Sequence, residues 1–115
     1  MLIRREALDT LQKLIGGSPE DLEDLVRGFF EEGQTMLDDA RAAAATGDEV
    51  VLKRAAHSLK SNARELGALG FADLCAAIEV DLISGQTASD MTGRVAALLA
   101  LWPDVCAALE AELDR

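Results

Sequence analysis

Residues 48–67 read DEVVLKRAAHSLKSNARELG, and this stretch decides the fold. Asp48 can cap free amides, Gly67 can end a helix, and nothing between them breaks one. At about 100° per residue, Leu52, Ala55, Leu59 and Leu66 gather roughly 160–220° away from His57. Lys53, Arg54, Lys60, Ser61 and Arg64 all fall within about 60° of it. One face is apolar and the other carries four cations and a single imidazole. Such a helix must bury its leucine stripe against other helices. His57 is left facing outward.

The neighbouring segments supply those helices. Upstream, Leu8, Leu11, Leu14 and Ile15 mark a short first helix that Gly16-Gly17 stops. Ser18-Pro19-Glu20-Asp21 opens a second: Ser18 as cap, Pro19 in the first turn, two carboxylates at the positive helix end. Leu22, Leu25, Val26, Phe29, Phe30, Met36 and Leu37 line its stripe, which runs to about Thr46 before the Thr46-Gly47-Asp48 break. Downstream, Phe71, Leu74, Cys75, Ile78 and Leu82 share a face of a fourth helix, closed by Ser84-Gly85-Gln86-Thr87. The last helix begins near Ser89 and turns Val95, Leu98, Leu99, Trp102, Val105, Cys106, Leu109 and Leu113 inward. Its apolar spacing stays in phase across Pro103, which predicts a kink and not a break. The expectation is all-α: an antiparallel four-helix bundle with a short additional N-terminal helix, residues 1–115 forming a single helical domain.

Composition agrees. The 115 residues are 50% hydrophobic, 28% charged and only 3% aromatic, a mixture that favours helix over sheet. A formal net charge of −10 argues against nucleic acid and anionic lipid as partners. No apolar run approaches the roughly 20 residues that span a bilayer, and the opening residues lack the apolar core of a signal peptide. The protein is expected in the cytoplasm, away from the membrane. Cys75 and Cys106 are too few and too far apart for a disulfide scaffold or metal knuckle, and are read as buried thiols.

Against −10 overall, the absence of any acidic residue from Val51 to Arg64 is a local reversal of sign. A surface histidine among cations is commonly just a solvated face. No nucleophile and orienting acid stand in register with His57 for a triad. A single imidazole ringed by cations is a poor metal site. An outward imidazole is, however, a good nucleophile toward phosphorus, and nearby ammonium and guanidinium groups stabilise phosphoryl oxygens. Lys60 lies one turn along on the same side, and Ser61 is small enough to leave access.

Ala56-His57-Ser58-Leu59-Lys60-Ser61, with Leu66-Gly67-Ala68 following, resembles the signature of histidine-containing phosphotransfer (HPt) domains, roughly A-H-x-L-K-[G/S]-x-x-x-x-L-G. The likeness extends to Gly16-Gly17-Ser18-Pro19-Glu20, Leu25 through Phe30, the Gly47-Asp48 break, and Phe71, Leu74 and Ile78-Glu79. It implies a phosphorelay module that exchanges a phosphoryl group between His57 and the aspartates of response-regulator receiver domains. By the same resemblance Lys60 steadies the phosphoryl oxygens, Ser61 occupies a position kept small, and Gln34 stands where a polar side chain approaches the histidine. Lys53, Arg54 and Arg64 would add phosphoryl or docking contacts. Asn62, Arg64 and Glu65 depart from the small residues or asparagine of many relatives, which bears on partner choice.

The implied partners are receiver domains, a hybrid sensor kinase, or both, met by a monomer through the second and third helices around His57. No cofactor is expected on this chain; the Mg²⁺ needed for transfer belongs to the receiver. There is no nucleotide-binding glycine loop, so the chain has no kinase machinery of its own. The alternative is a helical adaptor that binds a receiver or kinase without phosphotransfer.

Overall fold

The computed structural model describes residues 2–114. It contains α1 (Arg5–Leu14), α2 (Pro19–Thr46), α3 (Glu49–Glu65), α4 (Leu69–Ile83), a 3₁₀ turn (Ala88–Met91) and α5 (Thr92–Leu113). Helix α2 packs on α3 and α5, and α4 packs on α3 and α5, so the four close into an antiparallel bundle. Helix α1 rests against α2 and α3. The 28 residues of α2 give about 42 Å of helix, and the molecule measures 42 × 22 × 21 Å. One helix therefore spans its whole length.

The breaks in the sequence become tight turns. Gly47 takes a left-handed conformation (φ 81°), and the amides of Gly47 and Asp48 both bond back to the carbonyl of Ala43. Asp48 then caps α3, its Oδ1 accepting from the amide of Val51 at 3.1 Å. Gly67 (φ 80°) ends α3, and its carbonyl accepts the Arg4 amide at 2.8 Å, tying the N-terminal segment to the α3–α4 turn. Helix α3 is thus fixed at both ends. Helix α5 runs unbroken through Pro103.

The core runs the length of the bundle through Val26, Leu37, Leu52, Leu59, Ile78, Leu98 and Leu109, all fully buried. Trp102 fills its middle, edge-on to Phe29 (5.2 Å between ring centroids) and tilted against Phe71 (5.6 Å). The indole lies directly on α2 at Gly33, where an added Cβ would stand 2.4 Å from Cη2. Cys75 is buried in the same core and Cys106 half-buried at its edge, both as free thiols.

Three local expectations are corrected. The Ser18 hydroxyl does not cap α2; it donates to Glu20 Oε2 at 2.7 Å, and this bond holds the Glu20 carboxyl below its ordinary value. Leu14 (78% exposed) and Leu25 (41%) lie at the edge of the core and not within it. The chain enters α5 through the 3₁₀ turn, secured by Thr87 and Asp90, so the last α-helix begins at Thr92 and not near Ser89.

Candidate functional site

His57 projects from the middle of α3 with its side chain 62% exposed, as the helical projection requires. Its Nδ1 lies 3.1 Å from Oε2 of Glu79, which comes from α4. The same carboxylate meets Lys60, whose Nζ is 2.6 Å from Oε1 in an ion pair without regular hydrogen-bond alignment. Glu79 is nearly covered (12% exposed side chain) and Lys60 little less so (19%). One carboxylate therefore holds both His57 and Lys60, one turn apart on α3, from below.

The electrostatics of this trio follow from its placement. Burial, the strongest single influence on Glu79, pushes its carboxyl up, but the contacts of Lys60 and His57 outweigh burial and leave it below its ordinary value. Glu79 is thus an anion at neutral pH. An anionic carboxylate can only accept, so Nδ1 must carry the hydrogen that bridges to it. In the neutral ring the lone pair then lies on Nε2, across the imidazole from Glu79. Directly beneath, one turn before Glu79, the Cys75 thiol is pushed up to about 12 by burial first and by the nearby carboxylate second. The thiol is thus kept protonated at neutral pH.

The other sequence-predicted residues are placed as follows. Lys53 and Arg54 are exposed and, with Val50, Ser58 and Glu79, line a shallow groove that opens onto His57. Among the described residues neither takes part in an ion pair. Ser61 is exposed one turn beyond His57, and Arg64 is exposed a further turn away. Gln34 has other partners. Its Oε1 accepts from the Trp102 indole N–H at 3.1 Å and its Nε2 donates to Asp38 at 3.2 Å. Both ends of the amide are thereby engaged. Of the four cations near His57, Lys60 is the one paired with Glu79.

Glu79 is the residue that reading α3 alone does not find. It stands 22 positions beyond His57 on a different helix. The signal present in the sequence was an acidic residue directly after Ile78, a position turned to the core.

The arrangement is thus a helical bundle with one histidine held outward, oriented by a covered carboxylate and accompanied by a paired lysine. The Hpt domain family model matches residues 24–115. The chain belongs to the Hpt domain family, the histidine phosphotransfer modules of phosphorelays. Among solved structures it is similar to histidine-containing phosphotransfer protein B (HptB) from Pseudomonas aeruginosa PAO1, with a TM-score of 0.75 and 22% identity over 98% of this chain and 91% of that one. It is also similar to the HPT domain of the Hpt sensor hybrid histidine kinase from Shewanella, with a TM-score of 0.75 and 16% identity over 93% and 92% of the two chains. At these identities the likeness is one of fold. No curated protein sequence matches significantly.

Proposed function

We propose that His57 is the residue that carries the phosphoryl group, exchanging it with the aspartates of response-regulator receiver domains. The observation that carries this reading is the Nδ1–H bond to Glu79, which leaves the Nε2 lone pair as the outward nucleophile. Nε2 attacks phosphorus of the partner's aspartyl phosphate. The N–P bond forms as the P–O bond breaks, and the aspartate leaves as carboxylate. Because Nδ1 keeps its hydrogen, the phosphorylated ring is cationic, and Glu79 faces that charge at 3.1 Å. The reverse reaction needs no proton to be found or lost at the ring, which suits a relay that works in both directions.

Lys60 assists from one turn away. Its ammonium is anchored by Glu79, so it can meet the incoming phosphoryl oxygens without first being ordered. Lys53 and Arg54 border the groove beside the imidazole and add positive potential. Arg64 adds charge further along the same face, and Ser61 leaves room for a partner loop. The Mg²⁺ that receivers use stays with the receiver, and this chain acts as a cytoplasmic monomer, docking through α2 and α3 around His57. Among the described residues no helix is long and apolar enough to cross a membrane.

The test is acid-labile phosphate on the purified protein after incubation with phosphorylated receiver domains and Mg²⁺, beside His57→Gln. Label that is base-stable, acid-labile and absent from the variant is the expected result. Binding of receivers with no label on the wild type would replace phosphotransfer by an adaptor role.

A further inference from the structure

A small cavity lies between α2 and α3, on the side of α3 that continues from His57 through Ser61 and Asn62. Its volume is about 160 Å³, close to that of cavities that take one benzene-sized group. Phe29 and Leu66, both buried, form the floor, and Leu25, 41% exposed, forms one wall. The opening exists because position 28 of α2 is glycine: an added Cβ there would meet nothing within 4 Å. Glycine is a poor choice for the interior of a 28-residue helix, and no left-handed backbone or close neighbour at this position requires it.

The rim is charged in the opposite sense to the groove beside His57. Asp24, Glu32 and Glu65 surround the opening, all three are exposed, and among the described residues none is engaged in an ion pair. Glu65 is one of the departures from the family pattern noted in the sequence, and it brings a carboxylate from α3 to face those of α2. Polar acids around an apolar notch of side-chain size specify the chemistry of what enters. An apolar side chain fills the space, and lysine or arginine beside it meets the carboxylates.

We infer that this notch selects partners: it receives an apolar side chain flanked by basic residues on the surface of a receiver domain, while the receiver's acidic active-site pocket faces the cations around His57. The inference rests on the phosphotransfer reading above and adds to it the charge pattern a cognate receiver must carry. Across the site this chain is acidic on the α2 side and basic at Lys53 and Arg54. A partner of matching polarity is held in one orientation, and one with acidic residues on both sides is repelled at the notch.

The experiment uses the receiver that phosphorylates the wild-type chain fastest, and compares Gly28→Met with the double variant Glu32→Gln/Glu65→Gln. Phosphoramidate labelling of His57 serves as the docking-independent control. Gly28→Met plugs the notch without opposing the helix, so its folding, followed by circular dichroism, is retained. Its transfer from the receiver is expected to fall at least about tenfold while phosphoramidate labelling stays within about twofold. The double variant is expected to slow transfer and to flatten its decline between about 50 and 500 mM NaCl, since surface charge attraction is screened over that range. Wild-type transfer rates in both variants would overturn the inference and leave the phosphotransfer reading intact. Loss of phosphoramidate labelling in Gly28→Met would show that the plug disturbs His57 itself and would also overturn it. No labelling of the wild type by receiver or phosphoramidate would overturn the phosphotransfer reading, and this one with it.

Discussion

Replacing Glu79 by glutamine tests the centre of the site, because it keeps the shape and an acceptor oxygen but removes the charge. In the wild type the carboxylate stands 2.6 Å from Lys60 Nζ and 3.1 Å from His57 Nδ1, with side chains only 12% and 19% exposed at Glu79 and Lys60. A pair of charges near a protein surface attracts by about 4 kcal/mol at 4 Å, and the partial burial of both groups offsets a large part of that. Removing one partner while Lys60 stays covered is expected to destabilise the fold by about 2 kcal/mol near neutral pH. The effect has a defined pH dependence. Burial, the largest influence, pushes the Glu79 carboxyl up, but Lys60 and His57 hold it below its ordinary value of 4.5. A carboxyl lowered in the folded state contributes in full above its unfolded value and loses that contribution as pH falls through the folded one. The difference between wild type and Glu79→Gln, measured by urea unfolding followed through helical circular dichroism, should therefore be largest near pH 7 and shrink steadily below about pH 4.5. Phosphotransfer gives a second readout. The Nδ1–H acceptor survives in glutamine, so the ring keeps its tautomer, but the phosphorylated imidazolium loses its counter-charge. Loss of about 1.4 kcal/mol of such stabilisation slows transfer by about tenfold. A stability difference of the same size at about pH 3 and pH 7, or one too small to detect at pH 7, would refute the assignment of Glu79 as the anion beneath the site.

Other expectations follow from single contacts. Gly33→Ala should gain up to about 1 kcal/mol from helix propensity yet lose more, about 1–3 kcal/mol, because the methyl would stand 2.4 Å from Trp102 Cη2; a lower urea midpoint with altered tryptophan emission is expected, and a more stable protein would contradict the packing. Asp48→Ala removes the acceptor of the Val51 amide and should destabilise by about 1 kcal/mol in the same melts, with serine restoring most of it. Because burial pushes the Cys75 thiol up to about 12, a thiol reagent near pH 8 should reach only the half-buried Cys106 in the folded protein and both cysteines in urea; two fast thiols in the native state would rule out the buried position of Cys75.

The helices were legible where local chemistry dictates backbone shape. Gly47-Asp48 and Gly67 announce a left-handed turn, a cap and a stop, and those are the conformations they adopt. The outward direction of His57 needed only the 3.6-residue period, because Leu52, Ala55 and Leu59 are buried on the opposite face. The site was legible along one helix and not across two. Projection of α3 places four cations near His57, but it contains no information about α4, and the residue that neutralises one of those cations comes from there. Gln34 shows a related limit. Its side-chain direction is set by the indole of Trp102, 68 positions away, whose N–H needs an acceptor when the ring is buried. At Ser18 two local options competed, capping an amide or bonding the nearby Glu20, and the choice between them is too finely balanced to read from residue types.

Pairing Lys60 with Glu79 changes how the cationic face should be understood. If all of Lys53, Arg54 and Lys60 were free beside His57, a dianionic phosphoryl group would be bound tightly and released with difficulty, a poor property for a carrier. In the structure Lys60 and Glu79 cancel, and the charges left at the groove are those of Lys53 and Arg54. A phosphoryl group of about −2 matches those two charges, and with Glu79 already paired to Lys60 the positive charge of the ring leaves the loaded site at about +1. The phosphoryl group is therefore held by less net positive charge than three free cations would supply. On the proposed role of Lys60, Lys60→Met leaves Glu79 facing His57 alone, and a phosphohistidine would lose the cation expected to meet its oxygens. Transfer onto His57 should then slow by about tenfold or more. In the Lys60→Met/Glu79→Gln double variant, which has no unpaired buried charge, stability should return toward wild type while transfer stays slow. Recovery of transfer together with stability would mean that Lys60 only supports the fold, and would separate that role from phosphoryl contact.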